Sequence, residues 1–269
     1  MPELPEVETT RRGIAPWLEE RILVRTEVRA PRLRWPVPDE IRHLRDEPVH
    51  GVRRRAKFLL LDLDSGQVLL HLGMSGSLRV VAADTPPDKH DHLDLVLDSG
   101  RALRLRDPRR FGAALWTPIP DSHPLLDKLG PEPWDARVDG DWFYRRARGR
   151  RRAVKDFIMD AGILVGVGNI YAQESLFRAG IHPARAAGRI SRKRYALLAD
   201  TIRAVLGEAI AVGGTTLRDF AGAGGAPGYF RQQLTVYGRG GEPCRACGRT
   251  LRAARHGQRG TVYCPGCQR

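Results

Sequence analysis

Apolar and polar residues alternate along several short segments in the N-terminal half of the chain. Leu93, Leu95 and Leu97 lie on one face of such a segment, with Asp94 on the other. A period of two is typical of a half-buried strand. Asp-Ser-Gly triplets at 64–66 and 98–100 predict hairpin turns. The predicted strands are Ile22–Arg29, Lys57–Asp62, Gln67–Leu72, Ser77–Val81, His92–Leu97 and Ala102–Leu105.

A short helix is predicted ahead of these strands, over Pro5–Ile14. Pro5 suits a first helical position, and Val7 and Ile14 are seven residues apart, so they share one helical face. Pro16 is expected to end this helix and restart the chain. Residues 1–130 therefore read as a β-rich domain that carries an N-terminal helix.

Helical periodicity replaces the alternation after Pro131 and Pro133, which mark a boundary. Val154, Phe157 and Ile158 predict one helix, Ile170, Leu176 and Phe177 predict another, and a long helix is predicted over Ser191–Val212. Between the first two lies the glycine-rich double turn GILVGVGN, with Asn169 expected as the N-cap. Such a turn is either an anion site at a helix N-terminus or an ordinary helix connection. The following segment 213–229 has six glycines in seventeen residues and is expected to be a lid.

The charge of the chain points to a polyanionic partner. Its 269 residues include 45 Lys plus Arg and 31 Asp plus Glu, a formal net charge of +14. Seven cations lie between Arg145 and Lys155, and five arginines lie between Arg101 and Arg110. Clusters of this density favour nucleic acid over an acidic membrane, although a solvated arginine-rich surface is the alternative. No apolar run approaches the length of a membrane span.

All four cysteines lie in the last 26 residues, as two C-x2-C pairs separated by sixteen residues. Two such pairs together supply four thiolates for one tetrahedral, structural Zn²⁺. Two disulfides or four free thiols are the alternatives; no signal peptide is apparent, which favours a reducing compartment and disfavours disulfides. The candidate ligands are Cys244, Cys247, Cys264 and Cys267.

The N-terminus Met1-Pro2-Glu3 carries candidate chemistry. Removal of the initiator methionine would leave Pro2 with a secondary amine, which can attack an electrophilic carbon as a Schiff-base lysine does. An α-amino group titrates near pH 8, so a substantial fraction is unprotonated at neutral pH. Glu3 beside it is placed to transfer protons. Taken alone, Pro2 is more often an ordinary chain start, and Glu3 an acid at the start of a helix.

Motifs along the whole chain resemble those of one known family. The chain resembles the bacterial formamidopyrimidine-DNA glycosylase family in PELPEVETTRRG, RRAKFLLL, HLGMSGSLR, KHDHLDL, DPRRFG, LGPEPW, VGVGNIYAQESLFRAGIHP, GGTTLRDF, PGYF and QRGTVYCPGCQR. The resemblance implies an α+β fold: an N-terminal β-sandwich with its helix (1–130), a helical helix-two-turn-helix domain with a lesion-capping loop (131–234), and a C-terminal zinc-finger β-hairpin (235–269). It also implies an enzyme of base excision repair with both glycosylase and apurinic/apyrimidinic (AP) lyase activities.

The resemblance also implies residue roles. Pro2 would be the nucleophile at the sugar C1′, with Glu3 assisting proton transfer. Lys57, at the start of a strand, would donate a proton and contact phosphate, and Arg259 would grip phosphates and assist δ-elimination. Asn169, His90, Arg109 and Arg150 would contact DNA, and Met74, Arg109 and Phe111 would fill the space that the extruded nucleotide leaves. The loop over 215–229 would cover the extruded base.

Two features depart from the family pattern: Asp156 stands where many relatives have proline, and Arg150 where many have lysine. The resemblance implies one structural Zn²⁺, a monomer in the bacterial cytoplasm, and duplex DNA with oxidised purines as the substrate. The first alternative is an endonuclease VIII-like enzyme for oxidised pyrimidines, disfavoured by Leu4 after Pro2-Glu3. The second is a non-enzymatic zinc-ribbon protein that binds DNA.

Overall fold

The computed structural model describes residues 2–214, 234–256 and 258–269. These residues form two compact units. Unit 1 holds residues 2–127 and 212–214, and unit 2 holds 128–211, 234–256 and 258–269. The expected lid over 213–229 lies almost entirely outside the described residues. Within the part of the chain that is described, no helix is both long and apolar enough to cross a membrane.

Unit 1 is a β-sandwich with three helices. Its elements in chain order are α1 Leu4–Leu18, β1 Ile22–Val28, α2 Asp39–His43, β2 Glu47–Pro48, β3 Gly51–Arg55, β4 Phe58–Leu63, β5 Gly66–His71, β6 Ser77–Ala82, β7 Asp91–Leu97, β8 Arg101–Arg106, β9 Ala113–Thr117 and α3 Pro124–Asp127. One antiparallel sheet has the order β2-β1-β7-β8-β6 and the other β3-β4-β5-β9. The six predicted strands and the β-sandwich are confirmed, whereas β2, β3 and β9 were not predicted.

The core of unit 1 lies between the two sheets. Leu59 and Leu61 on β4 belong to the same buried cluster as Leu95 on β7 and Leu103 on β8. Each of these side chains is at most 1% exposed. Complete burial of a leucine contributes about 1.5–3 kcal/mol, so this apolar layer fixes which faces of the two sheets meet.

Helix α1 continues through Pro16 to Leu18, so the prediction that Pro16 restarts the chain was wrong. Proline removes one N–H from the helix, but the final turn is held by the burial of Ile14 and Leu18. The N–H of Glu19 also donates to the Ala15 carbonyl at 2.9 Å. Packing against the sandwich therefore outweighs the local effect of proline.

The two Asp-Ser-Gly triplets form the predicted hairpin turns, β4–β5 and β7–β8. A third hairpin joins β3 and β4 through a tight turn in which Ala56 has a φ of +55°. Lys57 lies in this turn, immediately before β4, rather than within the strand. Lys57 therefore lies on the two-residue connection between β3 and β4.

Unit 2 packs four helices and a two-stranded hairpin. Its elements are α4 Gly140–Ala147, α5 Val154–Ile158, α6 Asn169–Arg178, α7 Arg192–Ala211, β10 Arg252–His256 and β11 Arg259–Tyr263. Phe143, Phe157 and Tyr195 form an aromatic core in which ring centroids lie 5.8–6.3 Å apart. The helices predicted from Val154 and over Ser191–Val212 are confirmed as α5 and α7.

The segment that leads to the cysteine hairpin is fixed to α6 by one buried carboxylate. Glu174, which is 1% exposed, accepts the main-chain N–H groups of Thr235, Val236 and Tyr237 at 2.8–3.0 Å. Charge-assisted hydrogen bonds of this kind are among the stronger polar contacts in proteins. The hairpin is thereby anchored to the helix that begins at Asn169.

Candidate active site and DNA-binding surface

Pro2 and Glu3 are both buried at the start of α1. Glu3 and Glu6 form a capping box in which the N–H of Glu3 donates to Glu6 Oε2 at 2.8 Å and the Glu3 carboxylate accepts the N–H of Glu6. Carboxylates are stabilised at the positive end of a helix. The capping box therefore fixes the main chain beside Pro2 and the carboxyl group of Glu3 at the same time.

His71, which the sequence analysis did not single out, lies close to Lys57 and lines the same cavity as Met74 and Phe111. It pairs with Phe58, directly after Lys57, and the two rings lie 4.9 Å apart. Burial, and then the positive charges of Lys57 and Arg34, lower the pKa of His71 to about 4. The ring is therefore neutral at pH 7, and its Nδ1 accepts the N–H of Gly73 at 2.9 Å, which leaves the proton on Nε2.

Met74 and Phe111 are exposed, at 39% and 44%, although both are apolar. Arg109 is also exposed, and its guanidinium carbon lies 5.1 Å from the centre of the Phe111 ring. The three residues predicted to fill the vacated space are therefore solvent-accessible in unit 1. Beside them is a cavity of about 530 Å³, lined by Leu33, Arg34, His71, Gly73, Met74, Arg110 and Phe111.

His90 lies at the entrance of β7 and is partly buried. Its carbonyl accepts the N–H of Asp107 at 3.0 Å, at the start of the loop that carries Arg109. One main-chain hydrogen bond in unit 1 therefore joins His90 to the start of the loop that carries Arg109.

Asn169 and Arg259 belong to adjacent elements of unit 2. Asn169 is the first residue of α6, with Gly168 rather than Asn169 as the N-cap, so the predicted N-cap was wrong. Its amide Nδ2 donates instead to the carbonyl of Gly260 at 3.2 Å. Arg259, which precedes Gly260, is exposed at the start of β11. An exposed arginine thus lies beside the positive end of a helix, which attracts anions.

Two buried side chains that sequence reasoning did not identify hold β11 in place. Gln173 donates to the Gly260 carbonyl at 3.2 Å and accepts the N–H of Val262 at 2.6 Å. Lys155 donates from Nζ to Thr261 Oγ1 at 2.6 Å. Lys155 is fully buried, so it does not belong to a surface cluster of cations, as its place in the arginine-rich run had suggested.

Arg150 is exposed, between α4 and α5. Its Nε donates to the Arg146 carbonyl at 2.7 Å, which holds the side chain against the end of α4. Arg146 itself stacks on Trp142, with 3.1 Å between the guanidinium carbon and the ring centre. Arg152 pairs with Asp160 at 2.7 Å. Several arginine side chains of the segment 145–152 therefore already form contacts within unit 2.

The four cysteines converge to one cluster, with all Sγ atoms within 4.8 Å of one another. The Cys244–Cys267 and Cys247–Cys264 sulfur pairs are 3.9 and 3.4 Å apart. Tetrahedral thiolates at about 2.3 Å from Zn²⁺ lie about 3.8 Å apart, so the cluster fits one structural Zn²⁺. The sulfurs are also farther apart than the roughly 2 Å of a disulfide.

The exposed apolar pair beside Arg109 in unit 1, and the helix N-terminus beside Arg259 in unit 2, are arrangements suited to a protein that contacts a polyanion such as DNA. Comparisons with known proteins identify the family of this chain. Models of the formamidopyrimidine-DNA glycosylase N-terminal domain and H2TH domain match residues 1–114 and 129–221. A model of the zinc finger found in FPG and IleRS matches residues 241–269.

Full-length relatives belong to the same family as the matching models. The chain is 62% identical to formamidopyrimidine-DNA glycosylase of Alcanivorax borkumensis and 57% identical to that of Pectobacterium carotovorum, over all of both chains in each case. The MutM (Fpg) crystal structure from Thermus thermophilus superposes with a TM-score of 0.89 at 40% identity, covering 99% of this chain and 98% of that one. A Lactococcus lactis Fpg complex with DNA that contains an abasic site superposes at 0.89, with 32% identity and 99% of each chain covered.

The chain belongs to the formamidopyrimidine-DNA glycosylase family. It is accordingly a DNA-binding glycosylase of base excision repair with the AP lyase activity of its family, and its cysteine cluster is a structural zinc site. The non-enzymatic zinc-ribbon alternative is thereby excluded.

Proposed function

We propose that the chain removes oxidised purines, 8-oxoguanine and formamidopyrimidines, from duplex DNA and then cleaves the strand by β,δ-elimination. The observation that carries this proposal is the buried Pro2-Glu3 pair at the start of α1, where the capping box fixes Glu3 and the main chain beside Pro2. Removal of Met1 is required, because only then is the Pro2 nitrogen an amine.

In the proposed reaction, the Pro2 nitrogen attacks C1′ and the bond between C1′ and the base breaks. The base leaves with a proton, and opening of the sugar ring, assisted by proton transfer at Glu3, gives an iminium between Pro2 and C1′. Loss of a C2′ proton then expels the 3′ phosphate, and a second elimination expels the 5′ phosphate. Water hydrolyses the remaining C=N bond and restores the Pro2 amine.

We propose that cationic and amide side chains of the protein support these steps by contacting the DNA backbone. We assign to Lys57 a phosphate contact and a proton transfer during elimination, since it lies on a short turn beside His71 in unit 1. Arg259 and Asn169 are assigned to phosphate binding, because they lie beside the α6 N-terminus in unit 2. His90, Arg109 and Arg150 are assigned to further DNA contacts, for which their exposed or partly exposed positions are suitable.

Extrusion of the damaged nucleotide is assigned to Met74, Arg109 and Phe111. Unstacking a base requires a few kcal/mol, and an inserted apolar or planar side chain offsets part of that cost. The three residues are exposed in unit 1, which suits them to this role. The segment 215–229, outside the described residues, is proposed to cover the extruded base.

We propose that the chain acts as a monomer on chromosomal DNA in the bacterial cytoplasm. Segments 1–130, 131–234 and 235–269 are proposed to serve catalysis, backbone binding with lesion capping, and zinc-dependent support of Arg259, respectively.

Oxidised pyrimidines are the second candidate substrate. A Lactococcus lactis relative of known structure was solved with DNA that contains an oxidised pyrimidine. Single-turnover base release should be compared on matched duplexes that contain either 8-oxoguanine opposite cytosine or thymine glycol opposite adenine. The proposal expects faster release of 8-oxoguanine, and a clear preference for thymine glycol would contradict it.

A further inference from the structure

Two neighbouring loops of unit 1 carry the three exposed residues. The first wedge loop, residues 72–76, contains Met74, and the second, residues 107–112, contains Arg109 and Phe111. They touch through their main chains. Gly73 has a φ of +59°, and a Cβ there would lie 2.3 Å from the carbonyl carbon of Phe111. No side chain fits between the loops at this point, so the two loops pack main chain against main chain.

Asp107 joins the two wedge loops from beneath. Its side chain is fully buried, at 0% exposure. Oδ1 accepts the hydroxyl of Ser75, in the first loop, at 2.7 Å, and Oδ2 accepts the N–H of Gly112, at the end of the second, also at 2.7 Å. A Cβ on Gly112 would lie 2.9 Å from Asp107 Oδ2, so only glycine permits this approach.

Ser75 links Asp107 to Arg109 through a further hydrogen bond. Its hydroxyl oxygen accepts the N–H of Arg109 at 3.2 Å while its proton goes to Asp107. The main chain of Asp107 is held as well, because its carbonyl lies 2.9 Å from His92 Nε2. Asp107 therefore takes part in a network that includes both wedge loops and the base of β7.

We propose that Asp107 is a positioning residue that locks the two wedge loops into one preorganised unit for insertion into DNA. It touches neither the sugar nor the base. The proposal rests on the wedge role that is proposed above for Met74, Arg109 and Phe111. Groups held in place before binding lose less conformational entropy when they insert. A buried carboxylate is suited to this purpose because hydrogen bonds to a charged acceptor are stronger than neutral ones.

The test compares Asp107→Asn, Ser75→Ala and the double variant. Asparagine has the same shape but one acceptor fewer, so one of the two donors would face an N–H₂ group. Extrusion should be followed by the stopped-flow fluorescence of 2-aminopurine placed beside 8-oxoguanine, and elimination by cleavage of a preformed abasic site. The second substrate has no base to extrude.

For Asp107→Asn, the fluorescence rise should slow by about tenfold or more, the loss expected when a buried charged hydrogen bond is broken. Cleavage at the abasic site should change by less than about threefold, because no base must be unstacked there. Ser75→Ala should act in the same direction. The double variant should be no slower than Asp107→Asn alone, since interacting residues are not additive.

Asp94→Asn is the matched control. Asp94 is also buried in unit 1, at 1% exposure, but its partners Arg29 and Arg104 lie outside the wedge loops. This variant should lower the thermal unfolding temperature without changing the ratio of the two rates. Equal losses on both substrates for Asp107→Asn, or additive effects in the double variant, would overturn the proposal. A parent enzyme that cleaves abasic sites but shows no fluorescence rise would overturn the wedge role itself.

Discussion

Gln173 on α6 accepts the main-chain N–H of Val262 on β11 at 2.6 Å. The same amide donates to the carbonyl of Gly260 at 3.2 Å, so it forms hydrogen bonds on both sides of Thr261, as a neighbouring strand would. Gln173 is 1% exposed. One side chain therefore fixes the register between the helix that begins at Asn169 and the strand that begins at Arg259.

Gln173→Met should weaken the binding of abasic-site DNA by roughly tenfold, because it removes the acceptor of the Val262 main-chain N–H, at a cost of about 1–3 kcal/mol. The Gly260 carbonyl keeps its hydrogen bond from Asn169 in this variant. Binding should be measured by fluorescence anisotropy at fixed salt concentration. Gln67→Met is the matched control, since Gln67 is an equally buried glutamine of unit 1 that hydrogen-bonds to Asp62 and Asp121. Equal losses of affinity in both variants would show that Gln173 serves general stability alone.

His71 should make the stability of the protein depend on pH. An unfolded histidine takes up a proton near pH 6.5, whereas His71 in the fold does so only near 4. Between these values the unfolded state binds more protons, so stability falls as the pH falls. His71→Gln should remove up to about 3 kcal/mol of this dependence. Urea denaturation of both proteins at pH 7 and pH 4.5 checks it, and a difference that is constant with pH would refute it.

Phe111→Ala should slow release of 8-oxoguanine from a paired duplex by roughly tenfold, because stacking of an aromatic side chain on a base is worth about 1–3 kcal/mol. Cleavage of a preformed abasic site should be affected much less, since no base is extruded. Ile119→Ala, also exposed in unit 1 but outside the wedge loops, serves as the control. If Phe111→Ala reduced both reactions equally, insertion of its ring would not be the reason.

Cys247→Ser should release the metal and weaken DNA binding. Three thiolates hold Zn²⁺ less firmly than four, and the hairpin that carries Arg259 is built around this site. In the parent protein, metal analysis should find one zinc per chain, and zinc affinity should fall in acid as the thiolates are protonated. Full DNA affinity in a metal-free Cys247→Ser protein would contradict a supporting role for the zinc site.

Short-range sequence patterns correctly predicted two hairpins, the long helix α7 and the cysteine cluster. The Asp-Ser-Gly triplets gave two hairpins, and the 3.6-residue period gave α7 within one residue at each end. The C-x2-C pairs were sufficient to place the zinc ligands together. In each case the pattern reflects a constraint between residues that are close in the chain, so no knowledge of the tertiary structure was needed.

The features that the sequence did not predict depend on tertiary packing. Helix α1 passes through Pro16 because Leu18 is buried, and no local signal reports that burial. Lys155 lies in a run of arginines yet is fully buried against Thr261, which is 106 residues away in the chain. Pairings across such distances are not encoded in a single sequence pattern.

The central claim is that Pro2 forms the covalent intermediate. Borohydride trapping on duplex DNA with 8-oxoguanine, followed by proteolysis and mass spectrometry of the cross-linked peptide, tests it most directly. We expect one adduct, on the N-terminal peptide at Pro2, and none when an uncleaved N-terminal tag blocks the amine. An adduct on Lys57 or another lysine, or full trapping with a blocked N-terminus, would contradict the claim.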